Sequence, residues 1–285
     1  MLYDEARYIW RGKFAEARFQ KQCLAEYAEV FKTVCVDGAY YKFPDQRYLE
    51  DLFCQVPSDF LFAFKATDEI TVKNFPNLPR FGLRAGQPNE NFLNAELFGR
   101  AFLGPCEQFQ KQIGLLIFEF SHFYPSDFAF GREFVEMLDR FLAGIPKGWP
   151  YGVEIRNKYF LHPDYFAVLQ KHGAAHVFNS WGEMPPVRAQ LEMSGCLTNP
   201  SLCGARFLLK PGRKYQEAVD LFSPYDRVQE PNMDARTMGA NLIRQGLATG
   251  AARKTFIYVN NRLEGNALVT IQAMTALADG EAGEA

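Results

Sequence analysis

The sequence predicts an α/β protein built on a parallel sheet, and three observations carry that prediction. Seven short runs rich in β-branched and aromatic residues recur along the chain, they alternate with stretches of helical periodicity, and several are apolar without interruption. A strand that faces water on one side alternates apolar and polar residues. An unbroken run such as Gly114-Leu115-Leu116-Ile117-Phe118 belongs instead in a sheet covered on both faces.

Taken in order, the strands are expected at Thr33–Ala39, Phe60–Thr67, Ile113–Phe120, Tyr151–Arg156, Ala174–Ser180, Ala205–Lys210 and Thr255–Asn260. Helical spacing of apolar residues fills the intervals at Phe14–Phe31, Asn94–Gln112, Arg132–Leu142, Pro163–His172, Arg236–Leu247 and Leu263–Leu277. Asp45 and Asn94 have the short acceptor side chains that start helices, and Gly173 suits a helix end. Strand–helix alternation means βαβ units, and seven strands in 285 residues fit either a barrel short of one stave or a doubly wound open sheet. The stretch from Asp68 to Leu93 has no periodicity and many turn formers; a loop of that length is functional or hides a short element. One domain over residues 1–277 is expected, with 278–285 (Ala-Asp-Gly-Glu-Ala-Gly-Glu-Ala) as a disordered tail.

Composition narrows the function classes. A net charge of −2 offers no whole-chain attraction to nucleic acid or an anionic membrane. No segment reaches the roughly 20 apolar residues of a membrane span, and the N-terminus lacks a basic segment followed by an apolar run. The six cysteines form no C-x-x-C pair; they read as reduced, buried thiols of a cytoplasmic protein. No glycine-rich phosphate or dinucleotide loop follows a strand, so a dinucleotide or P-loop cofactor is not supported and the cofactor is left unknown.

Four motifs bring a family into view. Thr33-Val-Cys35-Val-Asp37-Gly-Ala-Tyr40-Tyr41-Lys-Phe-Pro44 resembles the signature Val-Glu-Val-Asn-Ser-Thr-Phe-Tyr-x-Phe-Pro. Phe62-Ala-Phe-Lys65-Ala66 resembles a Phe-x-Lys-Ala strand, and Tyr151-Gly-Val-Glu154-Ile-Arg156-Asn157 resembles Val-Glu-Phe-Arg-His. Tyr258-Val-Asn260-Asn261, followed by Glu264-Gly-Asn-Ala267, resembles a closing Tyr-Phe-Asn-Asn-x-x-x-Gly-x-Ala segment. Together they resemble the domain of unknown function 72 family, also called YecE-like. The resemblance implies a TIM-like (β/α) barrel with no settled activity.

The departures are specific. The family's Glu falls on Cys35 and its Asn on Asp37; Arg206-Phe-Leu-Leu-Lys210 lacks the His of the family's Arg-x-His-Gly-Arg strand. The chain joins the family pattern only at Tyr8-Ile-Trp10-Arg-Gly12-Lys-Phe14, after the point where the family's first strand ends. A start codon assigned downstream of the true one, or loss of that strand, accounts for the seven-strand count. In-frame DNA upstream is then expected to encode it.

In a barrel, polar residues at the C-terminal ends of strands converge on one mouth. Asp37, Lys65, Glu119, Glu154, Lys210 and Asn260 each break or end an apolar run, and Arg156 and Asn261 lie just beyond two of them. They read either as a buried polar network or as a binding site. Glu119 and Glu154 end consecutive strands, and two carboxylates in one pocket can divide into a general acid and a general base. The competing expectation is that Lys65 or Arg156 neutralises them. Catalysis is accordingly assigned to Glu119, Glu154 and Lys65, and substrate binding to Asp37, Tyr41, Arg156, Lys210, Asn260 and Asn261.

His122 could join Glu119, Glu154 and Asp37 in an oxygen-rich, single-imidazole site of the kind that suits Mg or Mn; no metal is assigned. His162, His172 and His176 read as structural. Lys210, Arg213 and Lys214 follow the sixth strand of this chain, where barrels hold phosphate, or they are a solvated basic loop. The functional expectation is a small-molecule enzyme of acid–base or hydrolytic type acting on a sugar or phosphate ester. Its alternatives are a non-catalytic ligand-binding barrel and a metal-dependent nucleic-acid enzyme, and the net charge weighs against the latter.

Overall fold

The computed structural model describes residues 16–280, with side chains from Cys23 onward. The Tyr8–Phe14 motif and residues 281–285 of the expected tail lie outside the described residues. Seven parallel strands form one sheet in sequence order: β1 (Thr33–Val36), β2 (Leu61–Lys65), β3 (Ile113–Phe120), β4 (Tyr151–Ile155), β5 (Ala175–Ser180), β6 (Leu202–Phe207) and β7 (Lys254–Val259). The sheet curls until its edge strands β1 and β7 approach each other without pairing. Thr33 Oγ1 lies 3.0 Å from the Tyr258 hydroxyl, linking β1 to β7 through side chains. The result is a nearly closed barrel with helices outside, which selects the barrel over the open sheet.

Period-two alternation sorts each strand into an inward and an outward set. The inward set of small and branched residues (Ala63, Leu115, Ile117, Ala175, Val177, Leu202, Phe256) fills the barrel. The fit is tight: a Cβ on Gly152 would come within 2.7 Å of Val177 Cγ2 and 2.9 Å of Leu115 Cδ1. The outward set is where the phenylalanines went. Phe62, Phe64, Phe118 and Phe120 face the helices, and Phe118 meets Phe98 and Phe141 edge-on at 5.0 Å each. This apolar layer between sheet and helices explains strands without polar alternation.

Helix boundaries follow local chemistry. Asp45 caps Gln46–Phe53 by accepting from the Tyr48 N–H at 2.9 Å, Asn94 accepts from Leu97 N–H, and Gly173 ends Pro163–His172 in the left-handed region at φ 66°. The short helices Val187–Leu191 and Tyr215–Phe222 escaped the sequence analysis, and Gln46–Phe53 was signalled there only by its cap Asp45. The helix expected over 94–112 is a chain of tighter and wider turns, and the last helix, Ala267–Asp279, runs into the segment expected to be tail. The stretch after β2 is not structureless. It contains the turns Asp68–Thr71 and Pro79–Arg84 and a small core of Val72, Phe75 and Phe81, pinned by Asn89 to the carbonyls of Glu69 and Val72 at 2.7 Å.

One strand is displaced from expectation with functional consequences. β6 begins at Leu202 and ends at Phe207, so Arg206, not Lys210, occupies its inward C-terminal position. β1 and β7 also differ from the others, being half-exposed rather than fully buried. Between them lies a cavity of about 450 Å³ walled by Leu24, Tyr27, Cys35, Ile257, Tyr258 and Ile271. All six cysteines are unpaired; Cys54, expected to be buried, is an exposed helix-end residue.

Candidate active site at the barrel mouth

The same alternation that fills the barrel brings charges together at its C-terminal end. Cys35 and Asp37, Ala63 and Lys65, Ile117 and Glu119, Gly204 and Arg206 are successive inward positions. Glu119 and Glu154 are register partners across β3 and β4, and Asn179 and Arg206 across β5 and β6. The polar layer therefore sits directly on the apolar filling.

Arg206 is its centre. Its Nη1 lies 2.8 Å from Glu119 Oε2 and 2.6 Å from Glu154 Oε2, bridging the two carboxylates. Arg156 reaches the same pair from above, Nη2 to Glu119 at 2.9 Å and Nε to Glu154 at 3.2 Å, and lays its guanidinium 4.0 Å from the Trp181 ring centre. Lys65 Nζ stands 3.4 Å from Glu119 and 3.1 Å from Asp37, and 4.3 Å from the Tyr40 ring centre. Three cations thus meet three carboxylates, and the cluster is charge-balanced.

Accessibility divides the set. Glu154 is 0% exposed and Glu119 and Lys65 are buried, whereas the Asp37 side chain is 41% exposed. Burial alone would raise the Glu119 carboxyl, but Arg156, Lys65 and Arg206 together hold it well below the usual carboxylate range. Burial works against the Lys65 ammonium, yet Glu119 and Asp37 carry it above its ordinary value, and Arg206 is likewise held charged by Glu154 and Glu119 against its burial. Tyr40 and Cys35 are pushed up by desolvation, Cys35 to about 12, so neither is an anion near neutral pH.

The other expected site residues are distributed differently. Tyr41 is exposed and packs edge-on against Tyr40 at 5.3 Å. Asn260 lines the cavity beside Asp37 and Arg206 while its side chain accepts from the Arg262 N–H. Asn261 is buried and accepts from Ala267 N–H at 2.7 Å, fixing the start of the last helix. Lys210 stands outside the cluster, on Glu230 at 2.6 Å. Among the described residues no group of three or more His, Cys, Asp or Glu side chains is arranged to hold a metal ion. His122 instead lies 3.4 Å from Asn157, which clamps Phe123 N–H and C=O.

Arg206 and Asn179 were missed. Asn179 is fully buried in the polar layer, donating to the Ile155 carbonyl at 3.1 Å, and its Oδ1 has no partner. Arg206 had a readable signal: a lone guanidinium two residues after Gly204 in an otherwise apolar run.

These features define a parallel β/α barrel with a balanced ionic cluster at the mouth where barrel enzymes hold their reacting groups. The sequence profile described as "Protein of unknown function DUF72" matches residues 7–284. The chain belongs to the DUF72 family. A crystal structure of a DUF72 family protein from Enterococcus faecalis V583 is similar at a TM-score of 0.65 and 18% identity, covering 92% of this chain and 94% of that one. One from Thermotoga maritima MSB8 is similar at 0.62 and 18%, covering 97% and 95%. Both likenesses concern the fold. Among curated proteins none matches the chain.

Proposed function

We propose that this protein is a small-molecule enzyme of acid–base type, acting in the cytoplasm on a polar substrate of the sugar or phosphate-ester class. The observation that carries the reading is the Asp37–Lys65 pair, an accessible carboxylate 3.1 Å from a buried ammonium. Asp37 is the carboxylate of the cluster that a ligand can reach, and it serves as the general base. Lys65, kept protonated by Glu119 and Asp37, supplies positive charge where negative charge develops on the substrate. Glu119 and Glu154 act through the cations: Glu119 fixes Lys65, and both fix Arg156 and Arg206, so that the upper pair is held rigidly. Six unpaired thiols are in keeping with a reducing compartment. No helix is long and apolar enough to cross a membrane among the described residues.

The test is a thermal-shift screen of sugars and phosphate esters, followed by turnover of whatever binds. Asp37→Asn is expected to lower kcat by roughly 100-fold or more while leaving affinity within a few fold. Wild-type binding without turnover would make the barrel a binding protein. Turnover by Asp37→Asn at the wild-type rate would remove Asp37 as the base.

A further inference from the structure

The basic loop after β6 is bound to a carboxylate of its own chain. Lys210 Nζ lies 2.6 Å from Glu230 Oε1 and Arg213 Nη2 lies 2.6 Å from Glu230 Oε2, so each oxygen of one carboxylate has its own cation. Gly212, at φ +81°, makes the turn that sets Lys210 and Arg213 side by side, closed by Arg213 N–H to the Lys210 carbonyl at 3.0 Å. Gly212 N–H also bonds the Gly182 carbonyl, tying the turn to the loop that carries Trp181. The Glu230 segment is anchored from the other side, Gln229 and Glu230 N–H groups donating to the Glu264 carbonyl beyond β7.

Two features distinguish this arrangement from an ordinary surface ion pair. The Arg213 side chain is nine-tenths buried, with its guanidinium 5.1 Å from the Phe222 ring centre, and its Nη1 is buried with no partner. Charge is also unbalanced. Lys210 and Arg213 meet Glu230 and, at 3.5 Å from Arg213 Nε, Glu217, while the neighbouring Lys214 is exposed and takes part in no ion pair among the described residues. A fixed guanidinium beside Lys210, with Lys214 next in the chain, is suited to a tetrahedral dianion, which offers more oxygens and more charge than one carboxylate. Glu230 is 36% exposed and Lys210 51%, and ion pairs that wet contribute little net free energy, so exchange for a ligand anion is cheap.

We propose that Lys210, Arg213 and Lys214 form a phosphate-binding subsite that Glu230 occupies as an internal stand-in, displaced when a phosphate ester binds. The inference rests on the small-molecule reading of the mouth and narrows its substrate to phosphorylated compounds. The subsite lies on the same rim: Arg156 of the ionic cluster lies over the Trp181 ring, and Trp181 packs at a tilt against Tyr215, the residue after Lys214, with ring centres 6.3 Å apart.

Inorganic phosphate is the probe, titrated calorimetrically at low ionic strength into the full chain. Glu230→Gln is expected to bind phosphate at least about tenfold more tightly than wild type, by removal of an internal competitor. Adding Lys210→Gln or Arg213→Gln to that variant is expected to abolish the gain; Lys210 is exposed, so its substitution leaves the fold intact. Equal affinity of wild type and Glu230→Gln overturns the proposal. A gain that survives both second substitutions also overturns it, because nonspecific charge would then account for it. Failure here leaves the Asp37–Lys65 reading standing, and loss of the Asp37 effect leaves the phosphate result untouched, since neither experiment uses the other's residues.

Discussion

Two buried ionic networks sit in this barrel, and they are built differently. Behind β7, Glu264 is wholly buried and takes both Nε and Nη2 of Arg236, the Asn232 N–H and the Thr270 hydroxyl. One carboxylate meets one guanidinium, and the carboxylate's remaining lone pairs are filled by neutral donors. At the mouth, charges are shared: Arg206 Nη1 serves two carboxylates, Glu119 serves three cations, and the last carboxylate, Asp37, reaches solvent. A closed network holds loops in place. A network open at one end keeps a wet carboxylate and a dry ammonium at fixed separation, which a ligand can use.

Substitutions should separate the two. The largest effect is expected at Arg206→Met, which leaves Glu119 and Glu154 buried with their bridge gone. Loss of one partner from a buried pair costs about 3–5 kcal/mol, and this change should fall near the top of that range in denaturant unfolding. A loss under about 1 kcal/mol would mean that Arg156 alone balances both carboxylates. Glu264→Gln should cost about 3 kcal/mol by the same measurement and leave ligand binding at the Asp37–Lys65 pair unchanged, because the clamp makes no contact with that pair. If it abolished binding, the division between closed and open networks would fail.

A third buried polar group, His176, provides a neutral control. It is caged by Tyr165, Phe166 and Phe178, and desolvation lowers it from 6.5 to about 4. Between those values the unfolded chain binds a proton that the folded chain refuses, so stability falls as pH drops from about 6.5 to 4, by about 3 kcal/mol in total. His176→Leu should flatten that limb of the pH–stability curve. Glu119 adds its own loss only further down: its folded value is depressed, so its contribution is complete above the ordinary value of 4.5 and disappears below it. The smallest stability change, under about 1 kcal/mol, is expected for Asp37→Asn, since the group is partly solvated. A large destabilisation there would recast Asp37 as part of the scaffold.

The sequence carried the mouth further than it carried the periphery. Lys65, Glu119, Glu154 and Arg156 were legible because each breaks or closes an apolar run at a strand end, where an unpaired charge is costly. Lys210 drew attention for the same reason, but a three-residue shift of β6 hands its place to Arg206. Ala205-Arg206-Phe207-Leu208-Leu209 is compatible with either strand boundary; pairing with Val177–Ser180 and Lys254–Val259 selects one. Asn261 was legible as polar, though not as the acceptor that starts the last helix.

By itself the sequence determined the parallel α/β architecture, since runs apolar on both faces and separated by helices have no other stable arrangement. It also determined which charges cannot sit alone in that interior. Only the tertiary structure decided their partners: curling the sheet brings Arg206 of β6 across to Glu119 of β3, 87 residues earlier. It likewise decided that Asp37 stays wet while Glu154 is sealed. Sequence fixes which way a side chain faces along its strand; sheet curvature and strand register, set by packing across the whole barrel, fix what it meets.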